Sequence, residues 1–160
     1  VVEPEVFDLT AVAGQVMRDS QVIDQTHPME AHWDGPVFVN CDLGLTRQAI
    51  RILVDNAIKY TPAGSTIQLS ARREGAFVRV TVADDGPGVA DDDKPHVFDR
   101  FYSGAKAERP ADAQRSFGLG LALCRSIVEA HGGAIEVHDN VPHGAVFSFT
   151  LPAEEVAIHG

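Results

Sequence analysis

Apolar and polar residues alternate along this chain with two different periods, and the switches between them divide it into elements. In "LTAVAGQVMRDSQVID", residues 9–24, the apolar positions follow a helical period, with Thr10 as the expected N-cap. Two short β-like runs come next, "MEAHW" and "PVFVN". Asp42 then stands where a cap belongs, ahead of a second helical stretch that reaches about Lys59. Its apolar residues Ile50, Leu53, Val54, Ala57 and Ile58 recur at i, i+3, i+4, i+7 and i+8. "TPAGS" ends it with Pro and Gly.

The period then changes to two. Ile67, Leu69 and Ala71 alternate with polar neighbours, as do Val78, Val80 and Val82, and Glu74-Gly75 separates the two runs. That pattern predicts a hairpin with one buried face. Residues 85–117 carry no period beyond a short helical piece near "KPHVFDRF", and the polar middle, "YSGAKAERPADAQRS", predicts a long functional or disordered loop. A third helix is expected from about Phe117 to His131, with Phe117, Leu121, Cys124 and Val128 on one face and Gly132-Gly133 as its stop. "AIEVHD" and "GAVFSFTLP" predict a second hairpin with Phe147, Phe149 and Leu151 on one side. The tail "AEEVAIHG", residues 153–160, has no clear period and is expected to fray.

Helices together with mostly hairpin-joined strands predict an α+β domain over residues 1–152, with helices covering one face of a sheet and the other face nearer solvent. The 160 residues suit one core, and an apolar share of 44% with 22% charged is ordinary for a soluble globular protein.

Charge narrows the partners. Thirteen basic residues face 23 acidic ones, for a formal charge of −10, and no Lys/Arg run occurs. A grip on a nucleic-acid backbone is therefore not expected, and any polyanion must be small and held locally. Cys41 and Cys124 form no CxxC pattern and read as reduced core thiols. The His residues show no HExxH or similar metal spacing. No apolar run is long enough to span a bilayer, and no signal peptide opens the chain. The sequence starts at "VVEPEVFDL" without an initiator Met, and is expected to be a fragment of a longer protein.

Three local features could carry chemistry. In "LVDNAIKYTP", Gln48, Ile52, Asn56 and Tyr60 form one i, i+4 row, with Asn56 and Tyr60 bordering the apolar stripe. Asn56 either bonds a nearby backbone group or serves as an oxygen ligand to Mg²⁺, a metal that keeps waters and takes phosphates as its other ligands. In "VTVADDGPGV", the Asp, Gly and Pro residues suit a tight turn. They leave open a second reading, in which the carboxylate of Asp84 accepts from an exocyclic amine such as adenine's and rejects a guanine carbonyl. In "SFGLGLALCRSIVEAHGG", Gly118 and Gly120 open a helix whose free N–H groups suit phosphate, or whose glycines only ease packing. It is neither a Walker A loop nor a strand-preceded Rossmann fingerprint.

Taken in order, the chain resembles the ATP-binding catalytic domain of sensor histidine kinases, in the superfamily shared with DNA gyrase, Hsp90 and MutL. "LVDNAIKYTP" resembles the family's N box, "DDGPGV" its G1 box, "VFDRFYSG" its F box and "FGLGLALCRSIVEAHGG" its G2 box, and the similarity runs from about Phe7 to Pro152. The resemblance implies a two-layer α/β sandwich of the Bergerat type. In it a mixed, mostly antiparallel sheet is covered on one face by three helices, and ATP sits under a lid at about residues 102–117. It implies Asn56 as the Mg²⁺ ligand, Lys59 near phosphate, Tyr60 against the adenine, and Asp84 on the adenine amine. Gly86 and Gly88 would shape that turn. Gly118, Leu119, Gly120 and Leu121 would line the phosphates from the helix start, and Arg100 would contact phosphate. Phe98 and Phe101 resemble the aromatics that anchor the lid.

Two positions depart from the family pattern. Ile52 stands where these kinases often have Asn, which implies weaker Mg²⁺ binding, and where gyrase-like ATPases carry Glu. Because Ile is no general base, slow intrinsic hydrolysis is expected. Ser116 and Phe117 stand where a further Gly often opens the G2 box. His27 directly precedes Pro28, which disfavours a helix there, and it is not flanked like a phospho-acceptor. The resemblance therefore implies that the γ-phosphate passes to a His on a separate dimerisation domain of the same parent kinase, and onward to an Asp of a response regulator. The parent is expected to be a homodimeric, membrane-anchored receptor with this domain in the cytoplasm. Two alternatives remain: a degenerate kinase that binds nucleotide without transfer, and a gyrase/MutL-like ATPase module, against which Ile52 argues.

Overall fold

The computed structural model describes residues 2–100 and 118–154. The stretch expected to form the lid, with Phe101, Ser116 and Phe117, lies outside the described residues, as do residues 155–160 of the tail.

The chain begins with a strand that its sequence does not announce. Strand β1 (Glu5–Asp8) is too short to show a period, and it forms by pairing antiparallel with β3 (Phe38–Cys41) in a two-stranded ribbon. Helix α1 (Leu9–Ile23) follows at once, and its cap is Asp8, not Thr10. Asp8 has extended backbone, and its Oδ1 accepts from the Thr10 N–H at 3.0 Å, the Thr10 hydroxyl at 2.8 Å and the Val37 N–H at 3.1 Å. A carboxylate that also ties down the ribbon outcompetes a hydroxyl buried in the first turn.

Strand β2 (Met29–His32) does not pair with β3. It lies parallel to β4 (Ile67–Glu74), at the edge of a five-stranded sheet in the order β2-β4-β5-β7-β6. The other pairings are antiparallel: β4 with β5 (Phe77–Asp84), β5 with β7 (Ala145–Pro152), and β7 with β6 (Ile135–Asp139). Both expected hairpins form. Ile67, Leu69, Ala71, Val78, Val80, Val82, Phe147, Phe149 and Leu151 are all buried on one face. On the other, Arg79 reaches Glu74 at 2.9 Å, and Glu136 at 3.0 Å.

Helices α1, α2 (Leu43–Tyr60) and α3 (Gly118–Ala130) contribute most of the rest of the core, including Leu9, Val16, Ile50, Leu53, Leu121 and Val128. Asp42 caps α2 as expected, accepting the Leu45 N–H at 3.0 Å. Its own N–H donates to His131 Nε2 at 3.1 Å, which joins the start of α2 to the end of α3. Cys41 and Cys124 are free and fully buried. Part of the tail expected to fray is held: Ala153 N–H donates to Ala76 O, and Glu154 N–H to Phe38 O, each at 2.9 Å. No helix among the described residues is long and apolar enough to cross a membrane.

Candidate functional site

Helix α2 and strand β5 end side by side, and between their ends lies a small crevice. It is lined by Asn56, Tyr60, Thr61, Asp84, Gly88, Val89, Ala145 and Phe147. Asn56 and Tyr60 reach it because they lie one turn apart on the edge of α2's apolar stripe, and each is half-buried. The Asn56 amide makes no hydrogen bond with the described residues. Asp55, its neighbour, turns outward, with Oδ2 3.8 Å from Arg51 Nε.

Asp84 is the last residue of β5 and is only 6% exposed. Its Oδ1 is drawn back into the following turn, accepting from the Gly86 N–H at 3.0 Å and the Ala145 N–H at 3.2 Å. The loop between β6 and β7 clasps the same turn. Asn140 Nδ2 donates to Asp84 O at 2.7 Å, and His143 Nδ1 to Gly86 O at 3.1 Å. Both predicted turn glycines are required. A Cβ on Gly86 would stand 2.5 Å from Thr61 Cγ2. Gly88 has φ +79°, and a Cβ there would stand 2.9 Å from the Gly144 carbonyl oxygen.

Other expected site residues lie outside the crevice. Lys59 is exposed, with its Nζ 5.3 Å from the centre of the Tyr60 ring, on the rim. Arg100 is exposed at the end of the first described segment. At the start of α3, Leu119 is 51% exposed, whereas the Leu121 side chain is buried in the core at 1%. Only the backbone of Leu121 could therefore serve a ligand. Gly120 faces α2 at Ile52, whose Cγ2 would lie 3.6 Å from a Cβ built there. This brings the N-terminus of α3 beside the row that carries Asn56. Phe98 is buried and packs edge-on against Phe147, with ring centroids 6.1 Å apart.

Sequence reasoning missed Thr61, Val89, Ala145 and Phe147 as crevice walls, and Asn140 and His143 as supports. Thr61 reads as helix punctuation before a Pro, and the β6–β7 residues are too far along the chain from Asp84 to signal their contact. Thr61 is itself held: its hydroxyl donates to Ala57 O at 2.7 Å, and its carbonyl lies 3.2 Å from His27 Nε2. Behind His27 stands Asp24. Its carboxyl is held below the ordinary carboxylate range by the Thr26 hydroxyl first and by His27 second, against the opposing effect of burial.

Comparison with known proteins matches this architecture. The family described as histidine kinase-, DNA gyrase B- and HSP90-like ATPase matches residues 41–155. The chain is 42% identical to the sensor protein KdpD of Clostridium acetobutylicum over 118 residues, 74% of this chain and 13% of that protein. It is 34% identical to the sensor-like histidine kinase SenX3 of Mycobacterium tuberculosis over 154 residues, 95% of this chain and 37% of that protein. It thus spans a minor part of either relative. Among solved structures, the mycobacterial sensor histidine kinase MprB superposes with a TM-score of 0.81 at 25% identity, covering 96% of this chain and all of that one. With the fold and these matches in agreement, the chain belongs to the histidine kinase-, DNA gyrase B- and HSP90-like ATPase family, as the catalytic ATP-binding domain of a sensor histidine kinase.

Proposed function

We propose that this domain binds Mg·ATP at the crevice between α2 and the β5 turn. There it presents the γ-phosphate to a His on a separate dimerisation domain of the parent kinase, for onward transfer to a response-regulator Asp. One observation carries this reading. A half-buried amide without a hydrogen bond to the described residues (Asn56) and a buried carboxylate (Asp84) share one crevice with an aromatic ring between them in sequence.

The roles follow from donor chemistry. Asp84 accepts from the exocyclic amine of adenine and leaves guanine's carbonyl unpaired, while Tyr60 lies against the base. The Asn56 amide oxygen suits Mg²⁺, a hard cation that takes oxygen ligands. No cluster of three or more His, Cys, Asp or Glu among the described residues could enclose a metal, so its remaining ligands come from water and phosphate. Bound Mg²⁺ would neutralise charge on the terminal phosphates. Lys59 on the rim, Arg100, and the N–H groups of Gly118, Leu119, Gly120 and Leu121 approach the same phosphates. Gly86 and Gly88 shape the turn by letting it pack against Thr61 and Gly144. With the nucleophile supplied from outside, the domain's contribution is placement and charge neutralisation.

The parent is read as a homodimeric, membrane-anchored receptor with this domain in the cytoplasm. Ile52 supports slow hydrolysis, because an aliphatic side chain against Gly120 cannot activate water. It also keeps alive a second reading, a nucleotide-binding module without transfer.

Mixing the domain with its parent's dimerisation domain and radiolabelled ATP tests the two. Label on the dimerisation-domain His supports the kinase reading. Nucleotide binding without transfer favours the module, and no binding at all overturns both.

A further inference from the structure

His27 is a buried titratable side chain with no role in the mechanism above, and is 7% exposed. It lies in the bend between α1 and β2. Its Nδ1 is 2.9 Å from Asp24 Oδ2 and 3.0 Å from the Thr26 hydroxyl, which itself donates to Asp24 Oδ1 at 2.7 Å. On the other side Nε2 is 3.2 Å from the carbonyl of Thr61. A carbonyl only accepts, so Nε2 is the donor in that contact. A second bond runs alongside, from the Gly64 N–H to Thr26 O at 2.8 Å. The bend is thus strapped across the exit of α2 at two points.

The strap ends on the nucleotide crevice. Thr61 is the C-cap of α2 and lines the crevice. Its methyl is the group that excludes a side chain at Gly86, and Gly86 in turn donates to Asp84 Oδ1. Being β-branched and bonded to Ala57 O, Thr61 cannot swing away by a change of rotamer alone. Contacts therefore run without a break from Asp24 through His27 and Thr61 to Gly86 and Asp84. A helix-end carbonyl has no partner within its own helix, so His27 both satisfies Thr61 and sets its height against the turn.

We propose that His27 is a positioning residue for purine selection. By holding the Thr61 carbonyl it fixes the wall against which the Asp84–Gly86 turn is set, and so fixes the carboxylate that reads the base. This rests on the reading that Asp84 contacts the purine amine. A purely structural His27 would lower stability when replaced but would leave the relative affinity for two purines unchanged.

The test compares His27→Gln, His27→Leu and Asp84→Asn in the full chain, with ATP and GTP affinities by calorimetry and a melting curve for each. Gln can offer an N–H near the position of Nε2, whereas Leu fills the space without a donor. In His27→Leu the ATP-over-GTP preference should fall about fivefold to tenfold, the effect of one displaced hydrogen bond. In His27→Gln it should stay within about twofold of the parent. A folded Leu variant with the parent's ratio, or a Gln variant that loses as much as Leu, overturns the proposal. If Leu prevents folding, Asp24→Asn loosens the ring from behind and should lower the preference in the same direction, and an unchanged ratio there overturns the proposal as well. Asp84→Asn separates the two ideas. If it shifts the ratio and His27→Leu does not, the positioning role alone fails. If it leaves the ratio unchanged, or the parent shows no preference, the base-reading role of Asp84 fails and this inference falls with it.

Discussion

Phe98 stands edge-on to Phe147, with ring centroids 6.1 Å apart and planes at 89°. Phe147 lines the crevice, so this contact joins the segment leading away from the β5 turn to the floor of the site. Truncating Phe98 to Ala should cost about 3–5 kcal/mol, the usual toll for a buried Phe. Urea unfolding should show the loss, with Phe98→Leu retaining most of the stability. ATP affinity should fall in the Ala variant too, because Phe147, a wall of the crevice, loses its packing partner.

Asn56→Ala should weaken Mg·ATP binding about tenfold, the scale for losing a contact to a charged group, and barely change binding of ATP in EDTA. Calorimetry with and without Mg²⁺ reads the difference. Equal losses in both conditions would remove Asn56 from the metal.

Gly86→Ala places a methyl 2.5 Å from Thr61 Cγ2. Overpacking of this kind costs about 1–3 kcal/mol. Since the strain falls on the turn that carries Asp84, nucleotide affinity should drop more than the melting temperature suggests. Ala at Gly75, where φ is +62° but a Cβ meets nothing within 4 Å, is the control for a strained glycine at the other end of β5 from Asp84. It should cost stability without touching affinity.

Burial pushes both Cys41 and Cys124 thiols up to about 12, and neither has exposed surface. A thiolate is the reactive form, so at pH 8 a thiol-specific reagent should label neither in the native protein. Both should react once denaturant unfolds the chain. Rapid labelling of Cys124 in the folded state would contradict the packing of α3 against α2, and rapid labelling of Cys41 the burial of the end of β3.

Acid sensitivity has a definite sign. Asp24 is held low chiefly by Thr26, Asp42 chiefly by the Leu45 N–H, and Glu74 and Glu136 chiefly by Arg79 and His138 respectively. A carboxyl with a lowered folded-state value binds fewer protons folded than unfolded, so its contribution is present above the unfolded value and lost as pH falls. Stability should therefore decline as pH drops through the ordinary carboxylate values of 4.5 and 3.8. Melting temperatures between pH 7 and pH 3 should show the decline, and Asp24→Asn should flatten it.

Much of this molecule is legible from local pattern. The 3.6-residue period of α2 puts Asn56 and Tyr60 at the edge of its apolar stripe, and the two-residue period of β5 puts Asp84 on the buried face with Val78, Val80 and Val82. Each is a property of a few neighbouring residues, and each carries over unchanged into the fold. Asp42 as a cap and Gly88, with its φ of +79°, are legible for the same reason: Asp at a helix start and Gly in a tight turn meet requirements of the adjacent backbone.

The sequence by itself determined every helix and both hairpins, the family and the two polar side chains on which the reading depends, but not strand β1, which exists only through its pairing with β3. Only the tertiary structure decided that Asp8 rather than Thr10 caps α1, because the deciding bond comes from Val37 across the ribbon. It alone showed Lys59 on the rim and the Leu121 side chain in the core, and it alone joined Asn140, His143 and His27 to the turn they support. Those contacts link residues tens of positions apart. Periodicity and propensity report on a chain's immediate neighbours, whereas long-range hydrogen bonds exist only after the sheet has closed and the helices have packed on it.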